Sequence, residues 1–114
     1  MKKYEFNNIK FYVGESANDN WELLDTAKAE NENYVWFHLN SFPSPYVIMW
    51  SSIENLHDKS VNEFILYGAN LCKQHSKYKF LKDIKIIYTT VEKLTKTKTL
   101  GEVEIRGKRK IYKL

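Results

Sequence analysis

The chain has one cysteine, two prolines and two arginines, and no apolar run approaches the roughly 20 residues needed to cross a bilayer. A lone thiol, Cys72, forms no internal disulfide, so nothing calls for an oxidising compartment and the cytoplasm is the default location. The start MKKYEFNNIK carries lysines with no apolar core behind them, unlike a signal peptide. The glycines are scattered at positions 14, 68, 101 and 107, which leaves no Gly-rich phosphate loop. Arginine is scarce beside 16 lysines, and lysine lacks the bidentate fork of a guanidinium. This usage, rich also in Asn, Ile and Tyr, fits an AT-rich coding sequence. A coding sequence of balanced base composition would contradict that.

What is present suffices for one domain spanning residues 1–114. With 43% hydrophobic and 15% aromatic residues, a chain of this length buries about two-thirds of the surface its unfolded form exposes. Tyr4–Phe6 and Ile9–Val13 are β-prone runs around Asn7-Asn8, a pair that tolerates a tight hairpin turn. Asp19 or Asn18 is placed to cap a short helix with Trp21, Leu24 and Ala27 at helical spacing, and Lys28 to Asn33 reads as loop. Tyr34 to Leu39 is a strand with Phe37 and Leu39 on one face and Trp36 and His38 on the other. Pro43 and Pro45 break the chain before a partner strand, Tyr46 to Trp50.

Ser60-Val61-Asn62-Glu63 is a capping-box pattern ahead of Val61, Ile65, Ala69 and Cys72, which predicts a helix over 61–76. Ile84 to Tyr88 is a strand, and Val103 to Arg106 with Arg109 to Tyr112 reads as a hairpin around Gly107-Lys108. The order ββαββαβββ predicts an α+β fold: a single, mostly antiparallel sheet with two helices packed on one face.

Charge is divided unequally. Residues 1–76 carry a net −4 and residues 77–114 a net +8. Lys93, Lys96 and Lys98 fill one loop, and Arg106, Lys108, Arg109 and Lys110 crowd one turn. A lysine-rich surface often serves solubility alone, but clusters of this density are also an electrostatic footprint for phosphates. No amphipathic helix carries them, which argues against a membrane partner. Trp36, Tyr46 and Trp50 offer flat faces for unpaired bases if their side of the sheet is open. Cys72 and His75 share a helix face, yet an ordinary buried thiol is favoured over a metal site, and no metal or cofactor is expected. His38 beside Tyr46 is the one pair that an enzyme could use, and a hydrogen-bonded structural histidine is the favoured role.

These residues fall into a series that resembles the NFACT-R domain, the RNA-binding module of proteins that tag stalled nascent chains on large ribosomal subunits. Tyr12-Val13-Gly14 with Asn20 and Leu23 is similar to the family's Y-V-G and N-x-x-L, and Trp36-Phe37-His38 to its W-F-H. Pro43, Ser44 and Val47-Ile48 resemble P-G-S-H-V-V; Ala69 and Leu71 resemble A-x-L; Tyr88-Thr89, Lys96 with Lys98, and Gly101-Glu102-Val103 follow in the family's order. Small free-standing eukaryotic relatives carry this domain before a coiled coil, and the chain resembles that version without the tail. Three positions depart: the family's Asp is Tyr34, its second-strand His is Tyr46, and the basic residue ending that strand is Trp50.

The expectation is therefore a non-catalytic nucleic-acid-binding module, with RNA preferred to DNA and tRNA or ribosome-associated RNA the classes that the resemblance implies. Its expected site is Trp36, His38, Tyr46 and Trp50 with Lys93, Lys96, Lys98, Arg106, Lys108, Arg109 and Lys110. The alternatives are a protein-interaction module docking on a ribosomal or nucleic-acid-processing assembly and, less favoured, a small enzyme centred on His38.

Overall fold

In a computed structural model, which describes residues 1–114, the first hairpin forms around its asparagines. Asn7 and Asn8 take φ of 45° and 69°, the left-handed pair that matches the twist of a two-residue turn. They join β1 (Lys2–Phe6) to β2 (Ile9–Val13), with Phe6 opposite Ile9. Helix α1 (Ala17–Glu30) is capped by Ser16, ahead of the expected Asn18 or Asp19. The Ser16 hydroxyl accepts from the Asp19 N–H at 3.1 Å, and the Asp19 carboxylate reaches back to the Glu15 N–H at 2.8 Å. The segment read as loop from Lys28 continues the helix to Glu30.

Strands β3 (Val35–Leu39) and β4 (Val47–Met49) flank the proline-containing loop, and helix α2 (Val61–Gln74) follows. Ser60 makes no side-chain cap there, because the chain enters α2 from a tight helical turn at Asp58–Ser60 that already places Ser60 in right-handed backbone. Then come β5 (Lys85–Thr90), β6 (Leu94–Lys96), β7 (Val103–Ile105) and β8 (Lys110–Lys113). Six strands form an antiparallel sheet in the order β1-β2-β4-β3-β5-β8, and β6 and β7 make a separate two-stranded ribbon. The α+β class, the antiparallel pairing and the two helices stand as expected.

Two details differ. The helices lie on opposite faces of the sheet instead of sharing one. Phe37, Val47 and Ile86 pack with Phe64, Ile65 and Ala69 of α2, whereas Trp36, Ile48 and Ile87 pack with Leu23, Leu24 and Ala27 of α1. The cause is in β3 and β4, which are apolar on both sides and are stable only when both are covered. Second, the expected hairpin around Gly107 does not form. β7 pairs with β6, and β8 crosses to β5 with Ile111 opposite Ile87 and Tyr112 opposite Ile86. That pairing satisfies the open edge of a central strand, and the Arg106 N–H closes the ribbon on the Lys93 carbonyl at 2.7 Å.

Two glycines set how closely the layers approach. A Cβ on Gly68 of α2 would lie 2.4 Å from Cζ of Phe37, so the helix rests directly on the aromatic ring. A Cβ on Gly14 would lie 1.9 Å from Oδ1 of Asn20, the oxygen that accepts from the Tyr46 N–H at 3.2 Å.

Candidate functional site

The α1 face of the sheet is only partly roofed. Past the first turn of α1 a cleft of about 1140 Å³ opens over β3, with Trp36, His38 and Ile87 on its floor. Its walls are the β2–α1 junction with Asn20, the loop from Asn40 to Tyr46, the segment His75–Tyr78, and the ribbon turn Leu100–Val103. Lys2, Lys77 and Arg109 bring cations to it, and Glu15 and Glu102 bring carboxylates.

His38 is held in one tautomer. Its Nδ1 lies 2.8 Å from the Leu39 carbonyl oxygen, which only accepts, so Nδ1 carries the hydrogen and Nε2 keeps the lone pair. Burial pulls the imidazole below its ordinary value near 6.5, against the opposite pull of the Leu39 and Ser44 carbonyls. The ring stacks on Trp36 with centroids 5.3 Å apart. Trp36 is buried, and its Nε1 has no hydrogen-bond partner. Tyr46 donates its hydroxyl to the Gly101 carbonyl at 2.6 Å, tying the ribbon turn to β4, and burial pushes its phenol up to about 12.

Four of the expected site residues, Trp36, His38, Tyr46 and Arg109, thus meet at the cleft. The stacking role expected for two of them is not available as the surface stands. Trp36 and Tyr46 are 2% and 1% exposed, so neither shows a face to a base. Period-two alternation leaves one side of a strand open only if that side is uncovered; here α2 covers one side, and on the other, partly roofed side the Trp36 and Tyr46 rings are packed beneath α1 and the ribbon. Trp50 sits at the far end of β4, half-buried against Tyr12 at 4.5 Å and Tyr34 at 4.9 Å. Tyr34 and Trp50 are two of the positions that depart from the NFACT-R pattern. They touch each other, making one aromatic contact between β3 and β4.

The basic cluster also divides. Lys96 pairs with Asp25 of α1 at 2.7 Å and lies 5.0 Å from the centre of the Trp21 ring, and Arg106 pairs with Glu92 at 3.4 Å. Lys93 donates to the Lys108 carbonyl at 3.4 Å. These three hold the ribbon in place. Lys98 and Lys108 are exposed, and Lys110 projects from the opposite side of the sheet, where it faces Tyr88. Cys72 and His75 do not converge: the thiol contacts Ser44 Oγ at 3.6 Å, while His75 Nε2 meets the Tyr4 hydroxyl at 2.9 Å. Sequence reasoning missed Lys2, Asn20, Asn40 and Phe42 at the cleft. They come from three separate segments, β1, α1 and the loop after β3, and only the chain's path gathers them.

No protein-family model and no curated protein matches this chain. Among solved structures it is similar to the C-terminal part of the fibronectin/fibrinogen-binding protein from Streptococcus suis, with a TM-score of 0.81 at 22% identity over 98% of its length. The two share a fold. The chain spans 43% of that streptococcal chain, and at this identity the likeness extends to architecture alone.

Proposed function

We propose that the protein is a non-catalytic nucleic-acid-binding module that prefers RNA to DNA. The observation that carries this reading is the state of its cations. Of the twelve in residues 77–114, Lys96 and Arg106 hold a carboxylate within 4 Å, and the other ten hold none. Unpaired cations at this density repel one another and gain most from a polyanion, whose bound counterions they release. The motif series that resembles the NFACT-R domain favours RNA as that polyanion, with tRNA or ribosome-associated RNA as the class. Within the proposal, Arg109 reaches phosphate at the cleft, Lys98 and Lys108 extend the surface along the ribbon, and His38 and Trp36 form the floor.

The cleft meets one requirement of an enzyme centred on His38, but no activated nucleophile stands beside the imidazole. The Ser44 hydroxyl accepts from the Leu39 N–H at 3.0 Å, the Tyr46 hydroxyl is spent on Gly101, and burial pushes the Cys72 thiol up to about 12. These placements favour the non-catalytic reading.

A second reading is a protein-docking module, favoured by the fold shared with the streptococcal fibronectin/fibrinogen-binding protein. Purification before and after nuclease treatment separates the two. RNA binding predicts co-purifying nucleic acid that nuclease removes; docking predicts a specific protein that survives it.

A further inference from the structure

The buried Trp36 and Tyr46 leave the nucleic-acid reading without its aromatic surface, and the structure supplies one elsewhere. Three of the six exposed large apolar side chains, Phe42, Phe80 and Leu81, belong to two loops that meet beside the cleft. Tyr78 to Leu81 is a β-turn closed by the Leu81 N–H on the Tyr78 carbonyl at 3.0 Å. Its central positions are Lys79 and Phe80, so the Phe80 ring points away from the body and is 86% exposed. Phe42, 37% exposed, lies against Tyr78 with ring centroids 4.6 Å apart, and both residues line the cleft. Scattered exposed apolar groups need no explanation, but aromatic rings gathered at the mouth of a polar cleft do.

We propose that the Tyr78–Leu81 turn, together with Phe42, is the platform on which an unpaired base of single-stranded RNA stacks. Lysines alternate with the apolar residues of this turn: Lys77, Lys79 and Lys82 flank Tyr78, Phe80 and Leu81, and Asp83 is the one carboxylate before Glu92. Alternating cation and ring is the arrangement that binds a single strand, with phosphates on the ammonium groups and bases on the rings. A bilayer is the weaker fit. The apolar surface sits on one turn without an amphipathic helix, and it borders a cleft walled by Asn40 and Ser76 that lipid would leave unfilled. The platform rests on the nucleic-acid reading above and deepens it by naming single strands as the ligand and Phe80 as the contact.

The test uses the whole chain and an oligouridylate carrying one 2-aminopurine, whose emission falls when that base stacks. Wild type is expected to bind and quench it. Phe80→Ala and Phe42→Ala should each weaken binding by about tenfold and reduce the quench. Phe80→Trp should restore both, and duplex RNA should be bound equally by all variants. Alanine variants that bind and quench like wild type overturn the platform, as does loss of phosphatidylserine-vesicle binding in Phe80→Ala with the oligonucleotide unaffected. Wild type that binds no RNA at all overturns the nucleic-acid reading itself; duplex binding without any quench overturns the platform alone.

Discussion

Single residues here do more for packing than their chemistry suggests. Gly68 sits inside α2, where alanine normally favours the helix by about 1 kcal/mol. The contact with Phe37 reverses the sign: a methyl group 2.4 Å from a fully buried ring has to displace it. Gly68→Ala should therefore destabilise the protein by about 1–3 kcal/mol in urea unfolding, and an unchanged or raised midpoint would show that α2 lifts away without penalty. His38 gives a pH signature. Its imidazole titrates lower in the folded protein than in the unfolded chain, so below about pH 6.5 the unfolded chain binds more protons and stability falls as pH falls through the folded-state value. His75, also held low chiefly by burial, acts in the same direction. His38→Gln should flatten, without abolishing, the stability change between about pH 7.5 and about pH 5.5. A profile identical to wild type would mean that the His38 imidazole is solvated.

At the scale of elements, the most telling pieces are the ribbon and the Tyr34–Trp50 contact. Lys96 pairs with Asp25 and crosses the Trp21 ring, so reversing its charge loosens β6–β7 from α1 as well as removing a cation. Lys96→Glu should speed hydrogen exchange at the Thr97 and Arg106 amides, whereas Lys108→Glu should not; equal exchange in the two variants would place Lys96 outside the docking. Positions 34 and 50 face each other across β3 and β4, next to the Val35–Met49 pair. Tyr34→Asp and Trp50→Lys should each destabilise, and together they should cost less than the sum, since neighbours couple by about 0.5–3 kcal/mol. Additive losses would show that the two positions do not compensate each other.

Elements were also where the sequence was most readable. Asn7-Asn8 announced its hairpin because few residue pairs tolerate two left-handed conformations, and α2 announced itself through an unbroken apolar stripe. The opposite placement of the helices was written in the unalternating apolar runs Val35–Leu39 and Tyr46–Met49, a signal of two covered faces that a half-buried-strand reading overlooks. The Gly107 turn misled because local turn chemistry is shared by hairpins and crossovers, and the edge of β5 decided between them. Trp36 and Tyr46 were correctly brought to one region, but their burial depends on α1 and the ribbon, which no single segment reveals.

For the whole molecule, the question is whether an acidic first part and a basic last part serve one another or a ligand. They do the former at Lys96–Asp25, while Arg106–Glu92 is a pair within the basic part itself. The remaining cations are the basis for proposing a ligand. The most direct measurement is filter binding of the full chain to single-stranded RNA, tRNA and duplex DNA at about 50 and about 200 mM salt. The expected result is tighter binding of RNA than of duplex DNA, a steep loss at the higher salt, and a salt slope that drops by roughly 0.7 for each single-strand phosphate contact removed in Lys98→Glu, Lys108→Glu and Arg109→Glu. Binding that ignores salt, or that survives all three substitutions unchanged, contradicts the account.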